Sequence, residues 1–342
     1  MTRSFRPLLV LFAVMALIAA ACGSDAEVAS DAPADAPTVV VSTNILGDVV
    51  QNLVGSEMNV VTIMPGGADP HDFQASAQQV AAIGESQAMV VNGESFEEGL
   101  LDVIEQAEAD GIPVYEAMST VSAIEFGEDG HDDHDDHEDE EHEDHEDEEH
   151  EDEEHDDHAG HDHSGDDPHF FTDPARMAVA ADGIADYLIA TVEGIDGDAL
   201  RASADAYIAE LNTLDGEVVE ILAELTEEQR VLVTNHEVFG YFADRYDFEV
   251  VGAVIPSGST ADGASAQALA ELAEIVEAEG VAAIFSDTSS SDELAQTLAD
   301  EVGDIAVVEL FSESLGDADS EGSTYLDMVR TNANRIASAL GA

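Results

Sequence analysis

From Thr38 to the end of the chain, short apolar runs alternate with segments of helical spacing, and this alternation restricts the possible folds more than any other feature. The predicted strands are Val39–Val41, Asn59–Met64, Ala88–Val91, Ile112–Tyr115, Val231–Thr234, Glu249–Ile255, Ala282–Ser286 and Ile305–Leu310. The predicted helices are Ile45–Val54, Ala75–Glu85, Phe96–Glu108, Asp173–Val192, Ala199–Leu225, Val238–Tyr246, Ala266–Glu279, Asp292–Glu301 and Tyr325–Leu340. Such alternation predicts an α/β protein whose parallel sheets are flanked by helices.

The alternation falls into two halves, which predicts two lobes joined by a long helix. We place the N-terminal lobe at residues 38–172, the connecting helix at 173–193 and the C-terminal lobe at 194–342. Asp173 and Pro174 are a typical cap and first position for that helix. Ligands of open parallel sheets bind beyond the carboxyl ends of the strands, so two facing sheets predict a cleft.

Residues 128–166 interrupt the N-terminal lobe with a run of acids and histidines that has almost no apolar side chains. Such a run cannot form a core, so it predicts an exposed, disordered loop. One interpretation is a solvated low-complexity loop; the other is a collector with several weak metal sites. Its histidines are His131, His134, His137, His142, His145, His150, His155, His158, His161 and His163.

The N-terminus has the features of a secretory signal peptide, which we assign to residues 1–21. A positive start is followed by an apolar stretch too short for a confident membrane span. Cys22, the only cysteine, follows three alanines and resembles the lipid-modified cysteine of bacterial lipoproteins. Ordinary cleavage after Ala21 is the alternative. Residues 22–37 are rich in Ala, Asp and Pro and predict a disordered tether.

The net charge limits the partners of the protein. The chain has 78 acidic residues against 8 basic ones, all of them arginine. Such a surface disfavours nucleic acid and anionic membranes and favours cations. We therefore expect no nucleic-acid partner, and membrane contact only through an N-terminal lipid anchor.

Three histidines outside the acidic run are candidate metal ligands. His71 and His169 each end an Asp-Pro-His tripeptide, in which the proline stiffens the backbone before the histidine. The aspartate of each tripeptide could hold the other ring nitrogen. His236 follows the strand Val231–Thr234, at the end where ligands bind.

Glu313 follows the strand Ile305–Leu310 in the same way and is the fourth candidate. Three imidazoles and one carboxylate suit a four-coordinate divalent ion, zinc above all. A zinc hydrolase would also use three histidines, but His236-Glu237 is not part of a His-Glu-x-x-His motif.

Several stretches together resemble the metal-specific solute-binding proteins of bacterial ABC importers, the ZnuA-like zinc and manganese receptors. They are residues 64–73 (MPGGADPHDF), 167–174 (DPHFFTDP), 233–242 (VTNHEVFGYF), 311–316 (FSESLG) and 325–332 (YLDMVRTN). The resemblance covers nearly all of residues 38–342. It implies two α/β lobes joined by a long rigid helix, with the metal in the cleft between them.

The resemblance also implies a function and a ligand set. It implies a receptor outside the cytoplasm that captures Zn²⁺ and delivers it to the transmembrane subunit of an ABC permease. Such a receptor is not an enzyme, and we expect it to act as a monomer. The metal ligands it implies are His71, His169 and His236, with Glu313 or water as the fourth. Histidine at 236, where manganese receptors often carry glutamate, favours zinc. A manganese or iron receptor and a metal-dependent surface adhesin are the alternatives.

Overall fold

The structure is a computed structural model that describes residues 32–33, 35–126, 165–303 and 305–341. The signal peptide, the lipidation of Cys22 and the ten histidines of the acidic run are predictions about residues outside these ranges. They stay predictions.

The N-terminal lobe is built on a four-stranded parallel sheet with the strand order β2-β1-β3-β4. The strands are β1 (Thr38–Val41), β2 (Asn59–Thr62), β3 (Ala88–Val91) and β4 (Val114–Glu116). The helices that connect them are α1 (Asn44–Val54), α2 (Ala77–Glu85) and α3 (Leu101–Ala109). Pairing of β1 and β2 begins before Thr38, because the Pro37 carbonyl accepts a hydrogen bond from the Asn59 N–H at 2.8 Å.

In the sequence, two long helices follow the last strand of the first sheet and precede the first strand of the second. They are α4 (Pro174–Thr191) and α5 (Gly197–Leu222), and they pack along each other. The predicted connecting helix, residues 173–193, corresponds to the first of them alone. The structure adds α5, which contacts α1 of the N-terminal lobe as well as the last helix of the chain.

The C-terminal lobe repeats the plan of the first, with the parallel strand order β6-β5-β7-β8. Its strands are β5 (Val231–Thr234), β6 (Glu249–Ala253), β7 (Ala283–Asp287) and β8 (Ala306–Leu310). Its helices are α6 (Gly240–Tyr246), α7 (Ala266–Glu279), α8 (Glu293–Val302) and α9 (Tyr325–Leu340). The predicted two-lobed α/β fold is confirmed.

Side-chain caps explain where several helices begin. The Thr43 hydroxyl accepts from the Leu46 N–H before α1, and Asp173 accepts from the Ala175 N–H at 2.7 Å before α4. At α2, Ser76 and Gln79 form a reciprocal capping box. Each cap satisfies backbone donors that the first turn of a helix leaves without partners.

The predicted helix at Phe96–Glu108 starts later than expected. A 3-10 turn covers Glu98–Leu100, and only then does α3 begin. The chain comes very close to another segment here, since a Cβ on Gly99 would lie 2.1 Å from the Phe73 carbonyl oxygen. Residues 93–95 all have positive φ, so the turn before Phe96 is not helical.

One apolar core runs through both lobes. It contains the buried face of α1, the inner faces of α4 and α5, and side chains of α9 such as Tyr325 and Ile336. Two smaller cores cover the outer faces of the two sheets. The lobes are therefore joined by continuous packing as well as by the chain.

None of the helices in the described ranges combines the length and apolar character that crossing a membrane requires.

Candidate metal centre

The four candidate ligands predicted from the sequence come together between the two lobes. His71 and His169 reach the centre from loops of the N-terminal lobe, and His169 stands just before the 3-10 turn Phe170–Thr172. His236 and Glu313 follow β5 and β8, so both come from the carboxyl edge of the second sheet. All four are buried, with 5% of His71 exposed, 1% of Glu313, and none of the other two.

Three imidazole nitrogens converge on one carboxylate oxygen. The Glu313 Oε1 atom lies 2.7 Å from Nε2 of His71, 3.4 Å from Nε2 of His169 and 3.2 Å from Nε2 of His236. One ligand atom from each residue lies within 4.8 Å of the others. In a tetrahedral zinc site the ligand atoms are about 3.3 Å apart, because each is about 2.0–2.1 Å from the metal. The spacing around Oε1 is close to this value.

Two of the histidines are oriented by carboxylates on their far side. The Nδ1 atom of His71 lies 3.0 Å from Glu98 Oε1, and that of His169 lies 2.7 Å from Asp167 Oδ1. A carboxylate on Nδ1 fixes the tautomer in which Nε2 carries the lone pair, and it makes the imidazole a stronger ligand. When the proton of each ring is on Nδ1, Nε2 is free to donate its lone pair to a metal beside Glu313.

The aspartate of the first Asp-Pro-His tripeptide does not hold its histidine ring. Asp69 Oδ1 accepts the backbone N–H of His71 at 3.0 Å, and Asp69 Oδ2 accepts the hydroxyl of Thr260 at 2.6 Å. The idea that the tripeptide aspartate holds the ring is therefore right for Asp167 and wrong for Asp69. Glu98 takes this place at His71, while Asp69 holds the backbone of His71 and the hydroxyl of Thr260.

Buried nitrogen atoms without hydrogen bonds support a metal at this position. Among the described residues, Nε2 of His169 and both ring nitrogens of His236 have no hydrogen-bond partner, although the two Nε2 atoms face Glu313. Buried polar atoms are nearly always satisfied, because leaving one unpaired costs free energy. A cation between these nitrogens and Glu313 would satisfy both Nε2 atoms.

Aromatic rings enclose the histidines. The Phe96 ring lies 5.4 Å from the ring of His71 and 5.5 Å from that of His169, in edge-to-face geometry. Phe171 packs against His169 at 5.8 Å. These rings exclude water from one side of the centre, which strengthens electrostatic interactions inside it.

Proton affinities in the metal-free centre are strongly perturbed. Burial alone lowers the pKa of His71, but the charge of Glu313 and the hydrogen bonds to Glu313 and Glu98 raise it to about 10. Burial likewise opposes protonation of His169, whose pKa the charge of Asp167 raises. Burial favours a neutral Glu313, but the charges of His236 and His71 hold its pKa well below the ordinary value. Without metal, a proton on His71 therefore neutralises Glu313.

Two buried residues near the centre, Asp287 and Asn92, are not among the predicted site residues. Asp287 ends β7, and burial followed by the charge of Glu313 raises its pKa to about 6. Asn92 follows β3 and donates to the Pro168 carbonyl at 2.9 Å, which fixes the second Asp-Pro-His tripeptide. The rule that found His236, that ligands gather at the carboxyl ends of strands, would have indicated both. Glu98 lies in the same connection between β3 and α3, but too far past the end of the strand for this rule to single it out.

The chain matches known proteins over almost its whole described length. The family model for the periplasmic component A of the zinc-uptake complex matches residues 39–339. The manganese-binding lipoprotein MntA of Halalkalibacterium halodurans is 26% identical over 328 residues, which are 96% of each chain. The zinc-binding protein TroA of Treponema pallidum is 28% identical over 324 residues, which are 91% of each chain.

A solved structure has the same fold. The structure of the periplasmic zinc-binding protein TroA from Treponema pallidum aligns with a TM-score of 0.73 and 26% identity, over 89% of this chain and 99% of that one. The relatives therefore include proteins described as zinc-binding and proteins described as manganese-binding.

Proposed function

The chain belongs to the family of periplasmic zinc-uptake component A proteins, and on that basis we propose that it is the metal receptor of an ABC importer, with zinc as its cargo. The receptor binds the ion outside the cytoplasm and delivers it to the transmembrane subunit of the permease. Its proposed ligands are His71, His169, His236 and Glu313. An N-terminal lipid on Cys22 would hold it at the outer face of the cytoplasmic membrane as a monomer.

One observation carries this proposal: three imidazole nitrogens surround a single buried carboxylate oxygen. Neutral imidazole and carboxylate are zinc ligands, and four of them complete a tetrahedral site. A complete set of four suits capture, because no position is left for a second molecule to react.

The donor set favours zinc over manganese. Manganese prefers sites rich in oxygen, whereas imidazole nitrogen suits zinc. With His71, His169 and His236, three of the four donors are nitrogen. Manganese remains the second candidate cargo, because the relatives include a manganese-binding lipoprotein.

A hydrolytic role fits the centre less well. A catalytic zinc site keeps one position open for water. In the proposed site Glu313 Oε1 takes the fourth position. This atom lies 2.7 Å from the nearest imidazole nitrogen, and only 1% of Glu313 is exposed. Glu313 is charged and acts as a ligand in this proposal, so it is not available as a general base.

The first experiment measures metal content and affinity. The purified protein is stripped with a chelator, dialysed against equal concentrations of zinc and manganese, and analysed by mass spectrometry for bound metal. We expect tight binding of one zinc per chain, in preference to manganese. A preference for manganese would overturn the assignment of the cargo, and tight binding of neither would overturn the receptor function.

The second experiment tests transport. A bacterium that lacks the gene should grow poorly in zinc-depleted medium, and the wild-type gene should restore growth. A gene with His169→Ala should not, whereas one with the exposed Asp72→Ala should. Restoration by His169→Ala, at equal protein levels, would contradict delivery of zinc through this site.

A further inference from the structure

The loop that carries Glu313 is tied to the N-terminal lobe just beyond the ligand. Asn44, the first residue of α1, accepts the Leu315 N–H on Oδ1 at 2.7 Å and donates from Nδ2 to the Ser314 hydroxyl oxygen at 2.7 Å. These contacts join positions 270 and 271 residues apart in the chain. An amide side chain thus bridges both residues that follow Glu313.

The loop that leads to His71 contacts the same two residues. The Gly67 N–H donates to the Ser314 hydroxyl oxygen at 2.8 Å and to the Leu315 carbonyl at 3.2 Å. Gly67 has a φ of 73°, which glycine adopts without strain and which lets the backbone turn here. A Cβ on the preceding Gly66 would lie 3.4 Å from the Leu315 carbonyl oxygen, so the two loops are in direct contact.

We call the group formed by Asn44, Gly67, Ser314 and Leu315 the interlobe clasp. Ser314 is its centre, because its hydroxyl oxygen accepts from both Asn44 and Gly67 and only 1% of the residue is exposed. These hydrogen bonds are part-buried, but breaking them would leave the buried Ser314 hydroxyl without its two donors, which costs free energy.

The position of the clasp gives it a mechanical consequence. Glu313 adjoins Ser314, so the backbone that carries its carboxylate cannot move away from the histidines without displacing Ser314. Displacing Ser314 breaks the hydrogen bonds to α1 and to the loop of His71 together. The clasp thus holds Glu313 of the C-terminal lobe and His71 of the N-terminal lobe at a fixed distance from each other.

We propose that the interlobe clasp sets the rate at which zinc leaves the centre, with Asn44 and Ser314 as positioning residues for Glu313. This inference rests on the proposed receptor function and specifies how its site retains the ion. Neither residue binds the metal. They act by keeping Glu313 in place, so they affect release more than capture.

Zinc dissociation tests the proposal. The full-length protein is loaded with zinc and mixed rapidly with an excess of a chromogenic chelator, for the wild type, Asn44→Ala, Ser314→Ala and the double variant. We expect dissociation to be about five- to thirtyfold faster in each single variant, since each loses two hydrogen bonds of the clasp. Because the two residues form one unit, the double variant should be within about twofold of the faster single one. The association rate should change little.

The control lies on the same helix. Asn52 is exposed on α1, and its Nδ2 donates to the Asp48 carbonyl of its own helix at 2.8 Å. Asn52→Ala removes an amide from α1 but leaves the clasp intact, so zinc should dissociate at the wild-type rate. Thermal unfolding of each metal-free variant separates a general loss of stability from an effect on release. If Asn44→Ala fails to fold, Ser314→Ala removes only one oxygen and carries the test.

The outcomes separate this inference from the receptor function. Tight zinc binding with wild-type dissociation rates in Asn44→Ala and Ser314→Ala would overturn the role of the clasp and leave the receptor function intact. If the accelerations of zinc dissociation in the two single variants multiplied in the double variant, Asn44 and Ser314 would act independently and not as one unit. Absence of tight zinc binding by the wild type would overturn both.

Discussion

In the N-terminal half of the metal centre, His71 and His169 each have a carboxylate on Nδ1, and both carboxylates belong to the same lobe as the histidine. In the C-terminal half, Nδ1 of His236 has no hydrogen-bond partner among the described residues. Glu313 there depends on contacts that its neighbours make with the opposite lobe. The N-terminal ligands are oriented by carboxylates of their own lobe, whereas Glu313 is oriented through contacts with the opposite lobe.

This difference shows how a single site can be both preformed and reversible. The carboxylates keep the N-terminal ligands oriented whatever the C-terminal lobe does, so that half is ready to receive an ion. The C-terminal half reaches its full geometry only when the lobes are in contact. We therefore expect changes in the first half to affect affinity through ligand orientation, and changes in the second to affect retention.

The largest expected effect is the loss of a ligand from the N-terminal half. Structural four-ligand zinc sites bind with roughly 10–16 kcal/mol, so by the same scale one ligand of four accounts for about 3 kcal/mol, or roughly a hundred- to thousandfold in affinity. His169→Ala should show at least this loss by competition with a chelator of known affinity. Asp72→Ala is the exposed control. Unchanged affinity of His169→Ala would remove this residue from the ligand set.

Glu313→Ala should weaken binding less than His169→Ala, because water can replace a carboxylate at the fourth position. The same competition assay measures both. An equal or greater loss with Glu313→Ala would mean that the two halves contribute to affinity in the opposite order.

The next effect concerns the carboxylates that orient the histidines. Asp167→Asn should lower zinc affinity about ten- to a hundredfold, as losses of such partners typically do. Glu98→Gln should have a smaller effect, since 36% of its side chain is exposed and water can take over part of its role, against 4% for Asp167. Glu105→Gln, on the exposed face of α3, is the control. Equal affinities for all three variants would show that orientation by carboxylates is unimportant.

The affinity for zinc should depend on pH over a wider range than it would if the histidines had their usual pKa of about 6.5. The pKa of His71 in the metal-free centre is raised to about 10, so zinc displaces its proton at neutral pH, and the raised pKa of His169 adds to the competition between protons and zinc. Affinity should rise with pH from about 6.5 towards about 9, by up to roughly tenfold per pH unit for each proton released. Calorimetry at pH 7.5 in buffers of different ionisation enthalpy counts these protons, and we expect more than one.

The same raised pKa makes the folding stability of the metal-free protein fall as the pH rises, whereas the affinity for zinc rises. The raised pKa of His71 stabilises the folded state fully below the unfolded pKa of about 6.5, and this contribution disappears as the pH rises towards about 10. Chemical denaturation at several pH values should show a decline over this window. In Glu313→Gln the decline should be smaller, because the charge that raises the pKa is absent. A flat profile in the wild type would contradict the proton on His71.

The smallest expected effect is that of removing the acidic histidine run. Residues 124–126 and 165–167 lie side by side, with the Asp167 N–H donating to the Ile124 carbonyl at 2.8 Å. A short Gly-Ser linker in place of residues 127–164 should therefore leave the affinity of the tight site within about twofold, since loop deletions between adjacent ends are tolerated. Weak additional zinc binding should disappear in calorimetric titration. Loss of the tight site with the run would show that the N-terminal half is not preformed.

The order of strands and helices could be predicted because each element leaves a local pattern. The run Val39–Val41 and the spacing of apolar residues in Ile45–Val54 were sufficient for β1 and α1, to within one residue. The prediction failed at Phe96, where three successive positive φ values and the close approach of Gly99 to Phe73 displace the start of α3. That approach depends on a segment more than twenty residues away, which local spacing does not reveal.

The four candidate ligands could be named from the sequence, but what surrounds them could not. Stiff Asp-Pro-His turns and strand ends are local signals. The pairing of His71 with Glu98, and of Asn44 with Ser314, depends on how separate loops meet in space. Glutamate, asparagine and serine are common in loops, and nothing in their spacing distinguishes these from the rest.

The uninterrupted apolar packing from α1 through α5 to α9 bears on the use of this protein as a fluorescent zinc sensor. Receptors whose lobes meet only at a hinge can report a ligand through a large change in the distance between two dyes. Here a wide opening of the cleft would expose the shared apolar core that includes Leu211 and Tyr325, and exposing so much apolar surface to water costs a large free energy. A pair of dyes on the two lobes should give little signal. A single environment-sensitive dye at the exposed Ala261, beside the contact of Thr260 with Asp69, should respond better to small shifts of the cleft.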